Sequence, residues 1–351
     1  MGAGQAKHEW FKNQYGFDEA EVAGYKEIQR LFEFDLPTRT LKSRQNHRSF
    51  YVGVFETPSV IELQQAKNKW PPASWGGGLT FENLSGDIIE LHLDKDNAGA
   101  VFQVASQFNC LQMVGPDISP ENGLTLYTHD DTQGANCAIA CPAATVYRNY
   151  LLRGRGQGGG NHRQVNTAVD LERILDNKAN RYWRMKNGYM MPARQEAVKE
   201  ISDRIAKEED LREKLLVNGR VGIHWSTEVA IGAHRVTQVY CSPVPISNTN
   251  QRGQPKDWKN LAQVVLDSAY EATLLTAAFL ARKRKERVTV FLTCVGSGTY
   301  CNPRAWICEA IEKALATYME EALDVKLVHE PLQGPLHEDF LQLEDLCYFE
   351  D

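Results

Sequence analysis

The sequence has no uninterrupted apolar run of the ~18 residues or more that a membrane-spanning helix needs. Its opening residues, Met1-Gly2-Ala3-Gly4-Gln5-Ala6-Lys7, hold no apolar core of the kind found in a secretory signal, and the sixth position lacks the Ser or Thr of a myristoylation signal. An intracellular protein, cytoplasmic or nuclear, with no membrane partner is expected. Positive charge is also in short supply: 39 Lys and Arg against 45 Asp and Glu leave a formal net charge of -6. A phosphate backbone rewards clustered cations, so the chain as a whole is not expected to bind nucleic acid. The eight cysteines include no Cys-x-x-Cys pair and no nearby His-x-x-x-His partner. No metal site is expected, and small buried reduced thiols are. No Gly-x-Gly-x-x-Gly follows a first strand, which puts a nicotinamide-dependent oxidoreductase last among the readings, and no cofactor is expected.

What is present is an ordinary globular balance, 42% hydrophobic and 24% charged residues. The first seventy-odd residues mix short aromatic clusters with Lys and Arg and read as an appended region, residues 1–75, packing on a main body. Within it Ser59 and Glu62 have the spacing of a capping box, with a helix following to about Lys69. Pro71 to Gly78 is a breaker run, read as a hinge rather than a phosphate loop. From Leu79 the texture changes to short β-prone runs: Leu79–Phe81, Ile88–Leu93, Val101–Val104, Leu124–Tyr127, Val221–Trp225, Val236–Tyr240, Val288–Leu292 and Val325–Val328. The clearest helix spans about Trp258 to Arg284, with Leu261, Val264, Val265, Ser268, Ala272, Leu275 and Phe279 on one stripe. Its basic end, Arg282-Lys283-Arg284-Lys285, complements a helix dipole. This alternation predicts a mostly parallel sheet with helices on both faces over residues 79–331, followed by an acidic tail, 332–351. Ligands of such sheets sit at the carboxyl ends of the strands.

Two loops there carry the argument. Thr293 to Pro303, with Gly296-Ser297-Gly298-Thr299-Tyr300 and Asn302 in it, joins an apolar strand to a helix and can offer backbone amides to an anion. Asp130 to Ala140, through Gln133-Gly134-Ala135-Asn136, is a polar turn entering a helix of small residues expected to reach about Tyr150. Small residues at its start fit a diphosphate and close helix packing equally well.

In their order, these segments resemble the macrodomain family of ADP-ribose binders. Leu79 to Leu91 is similar to the family's opening strand and Gly-Asp-Ile-Thr turn, with Ile89 in place of Thr. The resemblance implies that Asp87 accepts from the adenine amino group and that Ile88 lies beside it. Val104 to Asn109 stands where the family has Val-Asn-Ala-Ala-Asn, so Asn109 falls on the Asn that contacts the distal ribose. Gln133, Gly134 and Ala135 fall in the diphosphate-wrapping loop, with one glycine kept; Gly296, Ser297, Gly298, Thr299 and Asn302 fall in the second phosphate loop, and Tyr300 on the aromatic against the distal ribose. The implied fold is a three-layer α/β/α mixed sheet with an N-terminal extension, and the implied ligand is ADP-ribose or an ADP-ribosylated macromolecule.

Whether the chain hydrolyses an ADP-ribosyl bond stays open at this level. Hydrolysis needs a group that activates water or protonates the leaving group. Hydrolytic relatives often place an Asp where this chain has Asn136, and the glycohydrolase branch uses a Gln-Glu-Glu run on a helix that here holds no acid from Gly134 to Tyr150. Glu228, Asp131 and neighbouring Asp130 are the candidate substitutes, with a salt bridge to Arg235 the ordinary alternative for Glu228. His162, His224 and His234 have no spacing that marks a triad or metal.

Overall fold

The computed structural model describes residue 7 and residues 9–72, 77–194, 196–230, 234–247, 255–330 and 336–345. Parts of the breaker run and of the expected acidic tail lie outside the described residues. The chain begins with α1 (Trp10–Tyr15), α2 (Tyr25–Arg30) and a small antiparallel sheet, β1 (Phe32–Asp35), β2 (Thr40–Ser43) and β3 (Ser49–Tyr51). β4 (Val54–Glu56) and α3 (Val60–Lys67) follow. The capping box forms as read: the Ser59 hydroxyl accepts from the Glu62 amide, and the Glu62 carboxylate accepts from the Ser59 amide at 2.8 Å.

Next come β5 (Thr80–Ser85), α4 (Ile88–Leu93), β6 (Val101–Ala105), α5 (Gln133–Ala140) and α6 (Pro142–Val146). An inserted segment carries α7 (Val169–Leu175), the hairpin β7 (Trp183–Lys186) and β8 (Tyr189–Pro192), α8 (Ala197–Lys207) and α9 (Glu209–Asn218). The chain closes with β9 (Gly222–Glu228), β10 (Arg235–Cys241), α10 (Pro255–Arg284), β11 (Val288–Leu292), α11 (Arg304–Thr317), β12 (Leu323–His329) and α12 (Glu338–Asp345).

The main sheet runs β4-β9-β10-β6-β11-β12-β5. From β10 to β5 every neighbouring pair is parallel, and β9 is antiparallel to both β10 and β4. Period-2 alternation sorts the strand residues into two cores. Val101, Val239, Val290 and Leu292 pack with α10, while Phe102, Val104, Tyr240 and Phe291 pack with Ile88, Cys137, Cys141 and Ala144 from α4 to α6. The result is the three-layer α/β/α mixed sheet. By length and composition α10 could cross a membrane, yet 89% of its apolar window is buried inside the protein. Aromatic residues of the N-terminal segment, Trp10, Phe11, Tyr15, Phe32 and Phe50, form a third cluster against Tyr127, Ala138 and Ile139.

Three elements differ from expectation. Ile88–Leu93 is a helix, because Asp87 caps it: Oδ1 accepts from the amides of Ile89 at 2.7 Å and Glu90 at 3.1 Å. Leu124–Tyr127 is not a strand; a 3-10 turn covers Thr125–His129. Its first amides are held by the buried Glu19 carboxylate, 2.6 Å from both Leu124 N and Thr125 N. The helix expected to reach Tyr150 breaks at Cys141 (φ -124°, ψ 68°), since Pro142 pushes its predecessor out of the α region.

Candidate functional site

Five parallel strands bring their carboxyl ends to one rim, followed there by Asp87 (after β5), Ser106 (β6), Ser242 (β10), Thr293 (β11) and Glu330 (β12). The loop after β11 is anchored from below. Gln103, buried in β6, accepts the Thr293 amide at 3.1 Å and donates to Thr273 of α10, while the Tyr270 hydroxyl donates to Thr293 O at 2.7 Å and accepts from Val295 N. The loop after β10 laces to the same segment: Ile246 N donates to Tyr300 O, Ser247 Oγ to Thr299 O, and Asn302 Nδ2 to Val244 O. These bonds fix where the loop's backbone stands without using its tip.

At that tip the two glycines differ. Gly296 has φ +85°, and a Cβ there would lie 2.7 Å from Asn302 Nδ2 and 2.8 Å from Pro243 Cβ. Glycine is required at that position by conformation and packing. Gly298 lies outside the left-handed region, and nothing stands within 4 Å of where its Cβ would be. Neither the fold nor the backbone angle asks for glycine there. Ser297 and Thr299 are exposed on either side.

The start of α5 is built differently from the sequence expectation. Gln133 clamps β6 with its amide, accepting from Ala105 N at 2.9 Å and donating to Gln103 O at 2.8 Å. Gly134 lets α5 touch β6, for a Cβ there would fall 2.1 Å from Ala105 O. Ala135 and Ile88 are core residues. Asn109 is buried beneath the insertion, its Oδ1 accepting from Leu111 N and its Nδ2 donating to Gln164 Oε1, with Gly188 packed on it. The side chains of Gln133 and Asn109 are thus held by protein partners, and those of Ala135 and Ile88 pack in the core.

Glu228 stands apart from this rim. It ends β9 opposite Arg235, where β10 begins, at the amino rather than the carboxyl end of the parallel strands. Its carboxylate accepts from Tyr51 N at 2.8 Å, and Arg235 lies over the Tyr51 ring at 3.6 Å. Asp131 does stand at the rim, fully exposed, held below the usual carboxylate range by the hydrogen bond and charge of Lys7. Glu330 is pushed upward by partial burial and by the charges of Asp87 and Asp131, which places these three acids on one shared edge.

Three residues of these two segments carry a buried polar atom with no hydrogen-bond partner among the described residues: Asp130 Oδ2, Asn136 Oδ1 and Asn302 Oδ1. Asp130 spends Oδ1 on the Thr132 amide at 2.9 Å. Its charge is felt by Tyr189, a phenol pushed up to about 12 mainly by burial, and the Tyr189 ring lies 5.6 Å from that of Tyr300. The β7–β8 hairpin thus closes the loops from above, a contribution the sequence did not signal. Among the described residues no His, Cys, Asp and Glu group could hold a metal ion.

No family model and no curated protein matches this sequence. Among solved structures, the chain is similar to poly(ADP-ribose) glycohydrolase from Thermomonospora curvata, with 11% identity, coverage of 97% of this chain and 99% of that one, and a TM-score of 0.46. Poly(ADP-ribose) glycohydrolase from Deinococcus radiodurans in complex with ADP-ribose gives 11% identity, coverage of 84% and 95%, and a TM-score of 0.42.

Proposed function

We propose that the rim at the carboxyl ends of the strands binds ADP-ribose or an ADP-ribosylated ligand. The observation that carries this reading is that both segments flanking the rim hold buried polar atoms without a partner, Asp130 Oδ2 and Asn136 Oδ1 in one and Asn302 Oδ1 in the other, as do other places among the described residues. An unpaired buried donor or acceptor costs ~1–3 kcal/mol, so several in two adjacent loops need a polar partner that the chain itself does not provide. Hydroxyls and phosphoryl oxygens of a nucleoside diphosphate sugar supply both donors and acceptors. The open space at Gly298 supports close approach of such a group to the backbone. Asp87 contributes its second oxygen, since both capping bonds fall on Oδ1.

Calorimetric titration with ADP-ribose tests this, with Asp87→Asn as the matched variant. Asparagine keeps the cap and removes the charge, so the fold is preserved while affinity falls about 5- to 10-fold, the difference between a charged and a neutral hydrogen bond. No binding by the intact protein would remove the reading.

A second reading, hydrolysis of the ADP-ribosyl bond, is favoured by Asp130, a buried carboxylate beside the start of α5 with one oxygen uncommitted. In that reading Asp130 takes a proton from the water that bonds to the anomeric carbon, while the bond from that carbon to the leaving group breaks and the leaving group departs with the bonding pair and is protonated from solvent. Asp130→Asn keeps the acceptor for Thr132 N and replaces the other oxygen by a donor; it then loses turnover of an ADP-ribosylated substrate by far more than it loses ADP-ribose affinity. Equal turnover by the variant excludes Asp130 from the chemistry.

A further inference from the structure

The net charge of -6 is spread unevenly along the chain. Between positions 132 and 169 there is no Asp, Glu or Lys, while Arg148, Arg153, Arg155 and Arg163 all fall there. Arg148 is buried; the other three stand exposed on the glycine-rich loop 153–163, and their side chains make no hydrogen bond or ion pair with a described residue. We infer that this loop is a docking surface for a single-stranded nucleic acid, held through its phosphates.

Five glycines do not make the loop slack, because it is pinned from beneath. Tyr25 of α2 donates its hydroxyl to Asn149 O and accepts from Gly158 N at 2.9 Å, and a Cβ on Gly158 would lie 2.7 Å from the Tyr25 ring. Gln157 is buried, donating to Asn109 O at 3.1 Å and accepting from Val165 N at 2.8 Å. Arg155 O accepts from Gln29 at 2.9 Å. At the far end Asn161 Oδ1 accepts from Asn187 N at 2.8 Å, in the turn of the β7–β8 hairpin. The backbone is thus committed inward and the guanidinium groups outward, so a partner meets a surface already ordered.

Carboxylates in contact with this surface are outnumbered. Glu121 accepts the Gly159 amide, Glu19 is buried and bonded to the Tyr150 hydroxyl at 2.6 Å, Asp35 holds Thr38 N at 3.1 Å, and Glu27 pairs with Arg30 at 2.6 Å. Counted at full charge, these four stand against Lys26, Arg30, Arg39 and the three loop arginines. The type of cation and its setting select the partner. Burial pushes the Tyr147 phenol up while the charges of Arg39 and Arg153 draw it back, which places both around a partly exposed ring, with Phe34 against it at 4.7 Å. Arginine takes phosphate bidentately and, like an aromatic ring, stacks on unpaired bases; an acidic peptide offers only the charge.

Fluorescence anisotropy of the full chain with a labelled oligothymidylate of about 20 nucleotides tests this. Binding should saturate at low salt. At about -0.7 per phosphate contact, three contacts should weaken it roughly 20-fold when salt rises fourfold. The triple variant Arg153→Gln, Arg155→Gln, Arg163→Gln should lose that salt-dependent binding and keep the circular dichroism of the parent, since none of these side chains holds the loop. Lys283→Gln, an exposed cation on the opposite face of the sheet, should bind like the parent. No saturable binding at low salt, unchanged binding by the triple variant, or an equal loss in Lys283→Gln would each overturn the assignment. Displacement by polyglutamate as readily as by unlabelled oligothymidylate would overturn it in favour of an acidic protein. ADP-ribose titration of the triple variant reports separately on the rim.

Discussion

Two glycines two residues apart should behave in opposite ways. At Gly296 any side chain must hold φ +85°, which costs ~1–2 kcal/mol for a non-glycine residue, and its Cβ would strike Asn302 Nδ2 and Pro243 Cβ at 2.7 and 2.8 Å. Asn302 cannot swing aside without giving up its bond to Val244 O, another ~0.5–1.5 kcal/mol. Gly296→Ala should therefore lose about 1.5–3.5 kcal/mol in urea unfolding. Gly298→Ala meets nothing within 4 Å and should stay within ~0.5 kcal/mol of the parent. Gly298→Glu should fold equally well and lose the ligand. A carboxylate ~5 Å from a phosphate charge at an effective dielectric constant near 20 repels by ~3 kcal/mol, more than 100-fold in affinity. Unfolding curves and calorimetry on the three variants decide it. A fully stable Gly296→Ala, or a Gly298→Glu that binds ADP-ribose like the parent, would refute the reasoning about this loop.

Other expectations follow from the same contacts. Gln133→Ala should destabilise by about 2–4 kcal/mol, because it strips partners from both Ala105 N and Gln103 O; a stability unchanged in urea would contradict the clamp. Glu228→Gln should leave ADP-ribose affinity within about twofold by calorimetry, its carboxylate being at the far end of the sheet. Burial pushes His92 down to about 4, so the folded state resists its protonation. A lowered folded pKa gives stability that is complete above the ordinary value near 6.5 and is lost as pH falls toward 4, about 2 kcal/mol by pH 5. Urea midpoints at pH 7.5 and 5 should show at least that loss, and His92→Gln should reduce it by about 2 kcal/mol, leaving the share of buried His224, which burial also pushes down.

Much of the architecture was legible because it rests on local pattern. α10 carries its stripe at helical spacing, the Ser59–Glu62 box is complete within four residues, and β11 is an apolar run closed by a glycine-bearing loop. The failures come from distant partners. Ile88–Leu93 is short and apolar, equally compatible with strand or helix, and the decision belongs to the cap and to buried His92, stacked on Phe102 at 3.7 Å. The turn at Thr125 depends on Glu19, more than a hundred residues earlier. At the site, spacing located the loops and not the direction of their side chains. Gln133 and Asn109 are polar residues beside a candidate pocket; Gln133 is held by backbone groups of β6 that only the tertiary structure brings near, and Asn109 by the local Leu111 amide and the distant Gln164 side chain. Asp130 was visible as an acid before the helix, while its burial and unpaired oxygen were not.

The anchoring of the N-terminal segment sets an order of events during synthesis. Glu19 waits for Leu124, Thr125 and Tyr150, and Gln29 for the carbonyl of Tyr150, partners 105 to 131 residues downstream. At ~5–20 residues per second the ribosome takes roughly 5–25 s to deliver them. Through that interval Trp10, Phe11, Tyr15, Phe32 and Phe50 have no helix to cover them. The aromatic cluster around Trp10, Phe11, Tyr15, Phe32 and Phe50 is thus completed only after the chain has been made through Tyr150.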